Sequence, residues 1–155
     1  MKKFIGLFIL VTLLFAGCSP FSWRSSGLPT KPLAQCAAPP IPLEAGYTRQ
    51  AEGCLPMRVE GGQTWREDSL AVVKAAGYQG ELNCQNSFVT LSWGLTEGEG
   101  DMAVWTVTRE EDTLPLGGGA SGQIRTGCGV YELHNKDVLE PLRVDLRVVV
   151  DLPAQ

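Results

Sequence analysis

Cysteine is the residue type with the clearest capacity for chemistry in this 155-residue chain, which contains five cysteines. Four of them lie in the body of the sequence: Cys36, Cys54, Cys84 and Cys128. An even number at such spacing is typical of two disulfides in a small exported domain, for which three connectivities exist. We favour Cys36–Cys54, which would fix the N-terminal segment, and Cys84–Cys128, which would join strand ends. The alternative is that some of these thiols are free and buried. Thiol–disulfide exchange is not expected, because the chain has no Cys-x-x-Cys pair.

The remaining cysteine, Cys18, ends a segment with the layout of a secretory signal. Lys2 and Lys3 form a basic head, an apolar run covers residues 4–15, and two small residues stand directly before Cys18. A membrane-spanning helix needs about 20 apolar residues, so this run is too short to remain in a membrane. An ordinary signal peptide with a chance cysteine, or a buried N-terminal helix, is the alternative.

The stretch Phe15-Ala16-Gly17-Cys18 resembles the lipobox of bacterial lipoprotein precursors, with Phe15 where that family usually has Leu. The resemblance implies that the Cys18 thiol receives a diacylglyceryl group, that residues 1–17 are removed, and that the new amine is acylated, with palmitate as a typical acyl chain. The membrane is then a partner through these acyl chains, since two or three chains anchor stably. Ser19, where enteric inner-membrane lipoproteins have Asp, implies the outer membrane, at its periplasmic face.

The composition of the mature chain, residues 18–155, allows one domain with a real core. Once Lys2 and Lys3 are removed, 11 basic residues face 17 acidic ones, a net charge of −6. Nucleic acid is therefore excluded as a partner, because its recognition needs clustered Lys and Arg. Prolines predict a lipidated, Pro-rich tether over residues 18–45 and a disulfide-stapled, β-rich domain over residues 46–155.

Hydrophobic periodicity predicts an α+β fold: mainly antiparallel sheet, or a small sandwich, with one short helix. The helix is expected over residues 65–76, with a capping box from Thr64 to Glu67 and Gly77 after its end. Alternating patterns predict strands at 54–60, 88–95, 102–109, 123–133 and 142–150, with the strand at 123–133 interrupted at Gly127 or Gly129. We expect 88–95 and 102–109 to pair as a hairpin, 114–122 to be a long flexible connection, and 142–150 to be buried on one face only.

Candidate catalytic groups are few and scattered. Acidic residues cluster at 97–101 and 110–112, at opposite ends of the predicted hairpin, so we interpret both as solvated loops rather than a carboxylate pair or a calcium site. His134 is the only histidine and is expected at a strand end on the surface. The glycine run from Gly117 lacks the Lys and Ser/Thr of a phosphate loop. No catalytic residue, metal or cofactor is predicted.

Tryptophans are the remaining candidates for recognition. Trp93 and Trp105 alternate with polar residues on predicted strands, which favours the core. Trp65, in the predicted first helical turn, is the best candidate for an exposed binding residue.

These observations favour a non-catalytic binding or accessory module: a lipid-anchored domain that holds another envelope protein, such as a secretion or assembly component. The anchor, the tether and the disulfide-stapled β-rich body all fit that role. One alternative is an inhibitor or immunity lipoprotein. A further alternative is an enzyme that acts on envelope polymers through acidic residues such as Glu97 or Asp101.

Overall fold

Two four-stranded antiparallel sheets and one short helix make up the part of the chain described by the computed structural model, residues 27–85 and 88–155. The strand order is β1-β8-β3-β6 in the first sheet and β2-β7-β4-β5 in the second. A β-sandwich fits this architecture. The helical part of the fold is smaller than the predicted α+β class implies. The elements in chain order are β1 (Tyr47–Val59), β2 (Thr64–Asp68), α1 (Ser69–Ala75), β3 (Phe88–Glu97), β4 (Ala103–Arg109), β5 (Asp112–Gly118), β6 (Ser121–Thr126), β7 (Val130–Asn135) and β8 (Leu142–Pro153).

The core lies between the two sheets and is filled by side chains that alternate along the strands. Trp93 on β3 and Trp105 on β4 face each other from opposite sheets, with ring centroids 5.7 Å apart. Both are buried, which confirms their prediction as core residues. Val72 and Val73 of α1 complete this core from its side.

The predicted hairpin between β3 and β4 is wrong. β3 pairs with β6 and β8 in the first sheet, whereas β4 pairs with β5 and β7 in the second. The connection instead crosses from sheet to sheet through Gly98, at φ 102°, and a short 3-10 turn at Gly100–Met102. An alternating pattern determines which face of a strand is buried, but it does not determine the neighbouring strand.

The predicted flexible connection over residues 114–122 is also wrong, because β5 and β6 occupy most of it. Gly122 lies opposite Trp93 in the pairing of β3 with β6. A methyl group at Gly122 would overlap the Trp93 indole, and one at Gly117 would come within 3.3 Å of the same ring. These glycines therefore provide the space that a large buried ring needs, rather than flexibility.

Helix α1 begins four residues later than predicted. Residues 64–68 form β2 and pair with β7, from Thr64 opposite His134 to Asp68 opposite Val130. Asp68, not Thr64, caps the helix: its side chain accepts a hydrogen bond from the Leu70 N–H at 2.8 Å. The expected end is confirmed, since Gly77 follows the helix at φ 96°. Pairing with β7 outweighs the local capping signal.

Strand β8 is central in the first sheet and is buried on both faces, so the one-sided burial predicted for it is wrong. Residues 31–44, within the predicted tether segment, cover its outer face. The Ala37 N–H donates to the Asp145 carboxylate at 2.6 Å, and the Ser92 hydroxyl donates to the Pro39 carbonyl at 2.6 Å. We call residues 31–44 the strap.

Charged side chains under the strap are paired with one another, as buried charges must be. Arg49 contacts Asp151 and Glu52, each at 3.0 Å, and Arg147 contacts Glu52 at 2.7 Å. Lys31 on the strap pairs with Asp145 of β8. The hydrogen bond that Arg49 donates to the Asp151 carboxylate is the main reason that the pKa of Arg49 lies above its ordinary value. This network holds the strap in one position on the sheet.

Candidate functional site

Both expected disulfides are present, with the favoured connectivity. Cys36 joins Cys54 and so ties the strap to β1, with Cα atoms 6.0 Å apart. Cys84 joins Cys128, which lies between β6 and β7, with Cα atoms 5.1 Å apart. Disulfides form and persist in oxidising compartments, so the pair supports an exported protein of the cell envelope or beyond. These four cysteines therefore have a structural role as disulfide partners.

Cys18, the predicted lipidation residue, lies outside the described residues, and so does the rest of the predicted signal. Among the helices that the structure does describe, none has the length and apolar character that a membrane crossing requires.

Trp65 lies on β2, not in a helix, and it is half-buried. Its ring packs edge-on against Trp105 at a centroid distance of 6.1 Å. Much of its apolar surface is therefore already used within the sandwich. A binding role for Trp65 stays a prediction.

The structure keeps the predicted acidic clusters apart. They flank β4, a seven-residue strand that spans about 23 Å at about 3.3 Å per residue. That distance is too large for two carboxylates to act on one bond. His134 is exposed on β7, where its Nδ1 lies 2.9 Å from the Thr64 hydroxyl, which confirms its predicted surface position.

Two further groups of potential ligand residues lie close together, and in each of them at least one ligand group is already engaged within the fold. Cys36, Cys54 and Asp145 bring possible metal-ligand atoms together, but the two sulfur atoms are bonded to each other. An open groove of about 590 Å³ beside α1 is lined in part by Glu67 and Asp68. These two residues are successive on β2, so their side chains point to opposite faces, and Asp68 already caps the helix.

The most exposed apolar side chains among the described residues lie together in the loop that joins β7 to β8. Val138 is 75% exposed and Leu139 is 84% exposed. By comparison, Leu114 on strand β5 is 45% exposed. We call Val138 and Leu139 the apolar tip. Contact between water and two adjacent apolar side chains of this exposure is unfavourable. Their transfer from water into a complementary pocket would therefore lower the free energy.

Asn135 fixes the start and the end of this loop. Its buried side-chain amide donates to the Val59 carbonyl at 3.1 Å and to the Glu140 carbonyl at 2.8 Å. Its side-chain oxygen accepts from the Asp137 N–H at 3.0 Å. One buried residue therefore connects β1, the beginning of the loop and its end.

Asp137 fixes the tip itself. Its carboxylate accepts from the N–H groups of Leu139 at 2.8 Å and Glu140 at 3.1 Å. These two hydrogen bonds hold the pKa of the Asp137 carboxyl below its usual value. The Asp137 carbonyl accepts in turn from the Gly62 N–H at 2.6 Å.

The turn between β1 and β2 supports the loop from the other side. A methyl group at Gly61 would come within 2.7 Å of the Val138 backbone, so only glycine fits this contact. The backbone of the tip is therefore packed and hydrogen-bonded, while its two side chains remain in water. A fixed backbone that presents apolar side chains is the arrangement of a preorganised binding element.

A small concavity of about 150 Å³ lies beside the tip. We call it the acidic notch; its lining includes Glu97, Glu99, Asp137 and Glu140. Glu97 pairs with Arg143 at 2.6 Å. Glu99 and Glu140 are exposed, and within residues 27–85 and 88–155 neither carboxylate has an ion-pair partner within 4 Å. The tip and the notch form a combined apolar and acidic surface.

This surface is not among the sites predicted from the sequence, although the sequence contains a signal for it. Asn135 and Asp137 are residue types that form turns by hydrogen-bonding the backbone two residues ahead. They precede Val138 and Leu139, and Pro141 follows, between two strands. Apolar residues placed inside such a turn cannot join either strand, which favours their exposure.

No protein-family model matches the chain, and no curated protein matches it. The solved structures that are similar in part include the following two. One is the crystal structure of FlhE, with a TM-score of 0.43 and 10% identity over 71% of this chain and 100% of that one. The other is an uncharacterized conserved protein with a double-stranded β-helix domain from Klebsiella pneumoniae, with a TM-score of 0.38 and 14% identity over 74% of this chain and 90% of that one. Likenesses of this size carry no family or functional argument.

Proposed function

We propose that this chain is a non-catalytic binding module of the bacterial envelope, which holds another envelope protein through its apolar tip. In this proposal acyl chains on Cys18 anchor it at the periplasmic face of the outer membrane. The observation that carries the binding role is the exposure of Val138 and Leu139 on a loop whose backbone is fixed by Asn135 and Asp137.

The energetics of the tip favour a binding role. An exposed apolar side chain contributes little to folding, yet burying one of this size in a partner is worth about 1.5–3 kcal/mol. Because the loop backbone is already ordered, little conformational entropy is lost when it docks. A few well-packed residues near the centre of an interface often provide most of its binding free energy.

The envelope location has separate support. Two disulfides fit an oxidising compartment. The lipobox resemblance at Phe15–Cys18 supports the anchor, and the acidic composition gives the protein part little attraction to anionic lipid. Mass spectrometry of the native product tests the anchor directly, since a lipidated chain beginning at Cys18 is expected.

The binding role is tested by the size of the native complex. Envelopes that contain the full-length protein are solubilised in mild detergent, and the protein is followed by native electrophoresis. We expect it to migrate within a larger complex, and we expect the double variant Val138→Ser/Leu139→Ser to migrate as the free protein. The matched control is Leu114→Ser, an exposed leucine on an edge strand.

The control on folding is the free energy of unfolding, which should change by no more than about 0.5 kcal/mol in all these variants, because the side chains are exposed. If the double variant stays in a complex of unchanged size, the tip is not the binding element and the proposed function fails.

A further inference from the structure

The charges around the tip favour one kind of partner. Three carboxylates of the acidic notch remain after Glu97 is paired with Arg143: Glu99, Asp137 and Glu140. Lys136, at the start of the loop, offsets one of them. Arg58, the nearest basic residue on β1, already pairs with Glu60 at 2.6 Å. An apolar element with this acidic surplus is repelled by anionic lipid and attracted by basic side chains.

The position of the tip in the fold gives a second, independent indication. The described chain begins at Gly27, which lines the groove beside α1 together with Asp68. Asp68 pairs with Val130 at the beginning of β7, whereas the tip follows the end of β7 at Asn135. Six strand residues, or about 20 Å, separate these two ends. The tip therefore lies at the end of the sandwich away from the point where the anchored segment joins it.

We infer that the tip and the acidic notch bind a protein surface in which an apolar socket lies beside Lys or Arg side chains. Val138 and Leu139 fill the socket, and a basic side chain of the partner enters the notch between Glu99 and Glu140. This inference rests on the proposed function and specifies the chemistry of the partner. The apolar contact supplies most of the affinity, and the charges supply orientation and rate of association.

Charge reversal in the notch tests this chemistry. The double variant Glu99→Lys/Glu140→Lys leaves the tip unchanged and should reduce the fraction of protein in the native complex at least tenfold. The neutral variant Glu99→Gln/Glu140→Gln should give an intermediate fraction. Glu110→Lys/Glu111→Lys, at the other end of β4, is the matched control and should have no effect.

Salt provides a second readout. Because exposed charges are screened at high ionic strength, the wild-type complex should weaken between about 0.05 M and about 0.5 M salt. The neutral variant should show a smaller salt dependence. If charge reversal leaves the complex intact while the serine variant of the tip still abolishes it, the basic partner is excluded and the proposed function stands. If neither the charge reversal nor the serine variant of the tip reduces the native complex, the proposed function itself fails.

The last experiment tests whether the apolar tip binds the membrane instead of a protein. A photocrosslinking residue in place of Leu139 is introduced into the full lipidated protein, which is reconstituted in vesicles of phosphatidylethanolamine and phosphatidylglycerol. We expect no lipid adduct at position 139. A lipid adduct at that position would show that the tip enters the bilayer and would overturn the inference.

Discussion

The side-chain amide of Asn135 donates a hydrogen bond to the carbonyl of Glu140 at 2.8 Å, and this single contact closes the loop that carries the apolar tip. The same amide reaches the Val59 carbonyl of the neighbouring sheet. Asn135 is fully buried, so the loop has a polar anchor inside the protein while its two apolar side chains face water. A buried polar side chain below exposed apolar ones is the reverse of the usual arrangement, and it is the basis of the functional proposal.

Replacing Asn135 by Ala should both destabilise the protein and loosen the tip. The change removes the donor to the buried Val59 carbonyl and to the Glu140 carbonyl, which costs about 1–3 kcal/mol in the free energy of unfolding. Urea unfolding measures that loss, and hydrogen exchange at Leu139 and Glu140 should become faster. Gln123→Ala, on the exposed side of β6, is the control and should be nearly neutral. An unchanged exchange rate in the tip would show that Asn135 does not fix it.

Acidification should release the tip only at a pH below the ordinary pKa of aspartate. Because the folded protein lowers the pKa of Asp137, the stabilisation is complete above the unfolded value of about 3.9 and is lost as the pH falls through the lower folded value. The NMR shifts of the Leu139 and Glu140 amides should therefore titrate with a midpoint below about 3.9. Asp137→Asn should abolish this titration. A midpoint above about 3.9 would contradict the hydrogen bonds to Asp137.

A methyl group at Gly122 should disturb the core. Gly122→Ala places a side chain against the Trp93 indole, which must move, and overpacking of this kind costs about 1–3 kcal/mol. Thermal unfolding and near-ultraviolet circular dichroism measure the effect. Gly27→Ala is the matched control, because no atom lies within 4 Å of the added methyl group. Equal stability of the two variants would mean that Trp93 does not need this space.

Removing the Cys36–Cys54 disulfide should free the strap. In Cys36→Ser/Cys54→Ser the 18-residue separation predicts a loss of about 3 kcal/mol on the chain-entropy model, against about 4 kcal/mol for the 44-residue separation of Cys84–Cys128. Limited proteolysis should then cut the strap first, because the disulfide no longer assists the ion pairs below it. Two free thiols in the denatured, unreduced wild-type protein would contradict the disulfide framework.

The sequence predicts the local features of this fold better than its long-range ones. Strand β8, the Gly77 helix end and the break around Gly127–Gly129 follow from residue types within a short window. The pairing partner of each strand does not follow from such a window. The strands of Trp93 and Trp105 have the same alternating pattern whether they form a hairpin or face each other across a sandwich.

The strap and the tip both depend on contacts between residues that are distant in the sequence. Asp145, Arg147 and Asp151 alternate with leucine and valine as exposed residues would. Only the strap, about 110 residues earlier in the chain, supplies their cover and two partners of Asp145, the Lys31 ammonium and the Ala37 N–H. The turn-forming residues before the tip indicate a loop, but its fixed backbone also requires the packing of Gly61, which no local pattern contains.

The most direct test of the account is photocrosslinking in intact cells that produce the full-length protein. A photoreactive residue replaces Leu139 in one variant and Leu114, on the edge strand β5, in another. We predict one discrete protein adduct from position 139 and none from position 114, with the adduct at 139 lost when Val138 is also changed to Ser. No protein adduct from position 139, or equal yields from both positions, would contradict the claim that the apolar tip is the binding element.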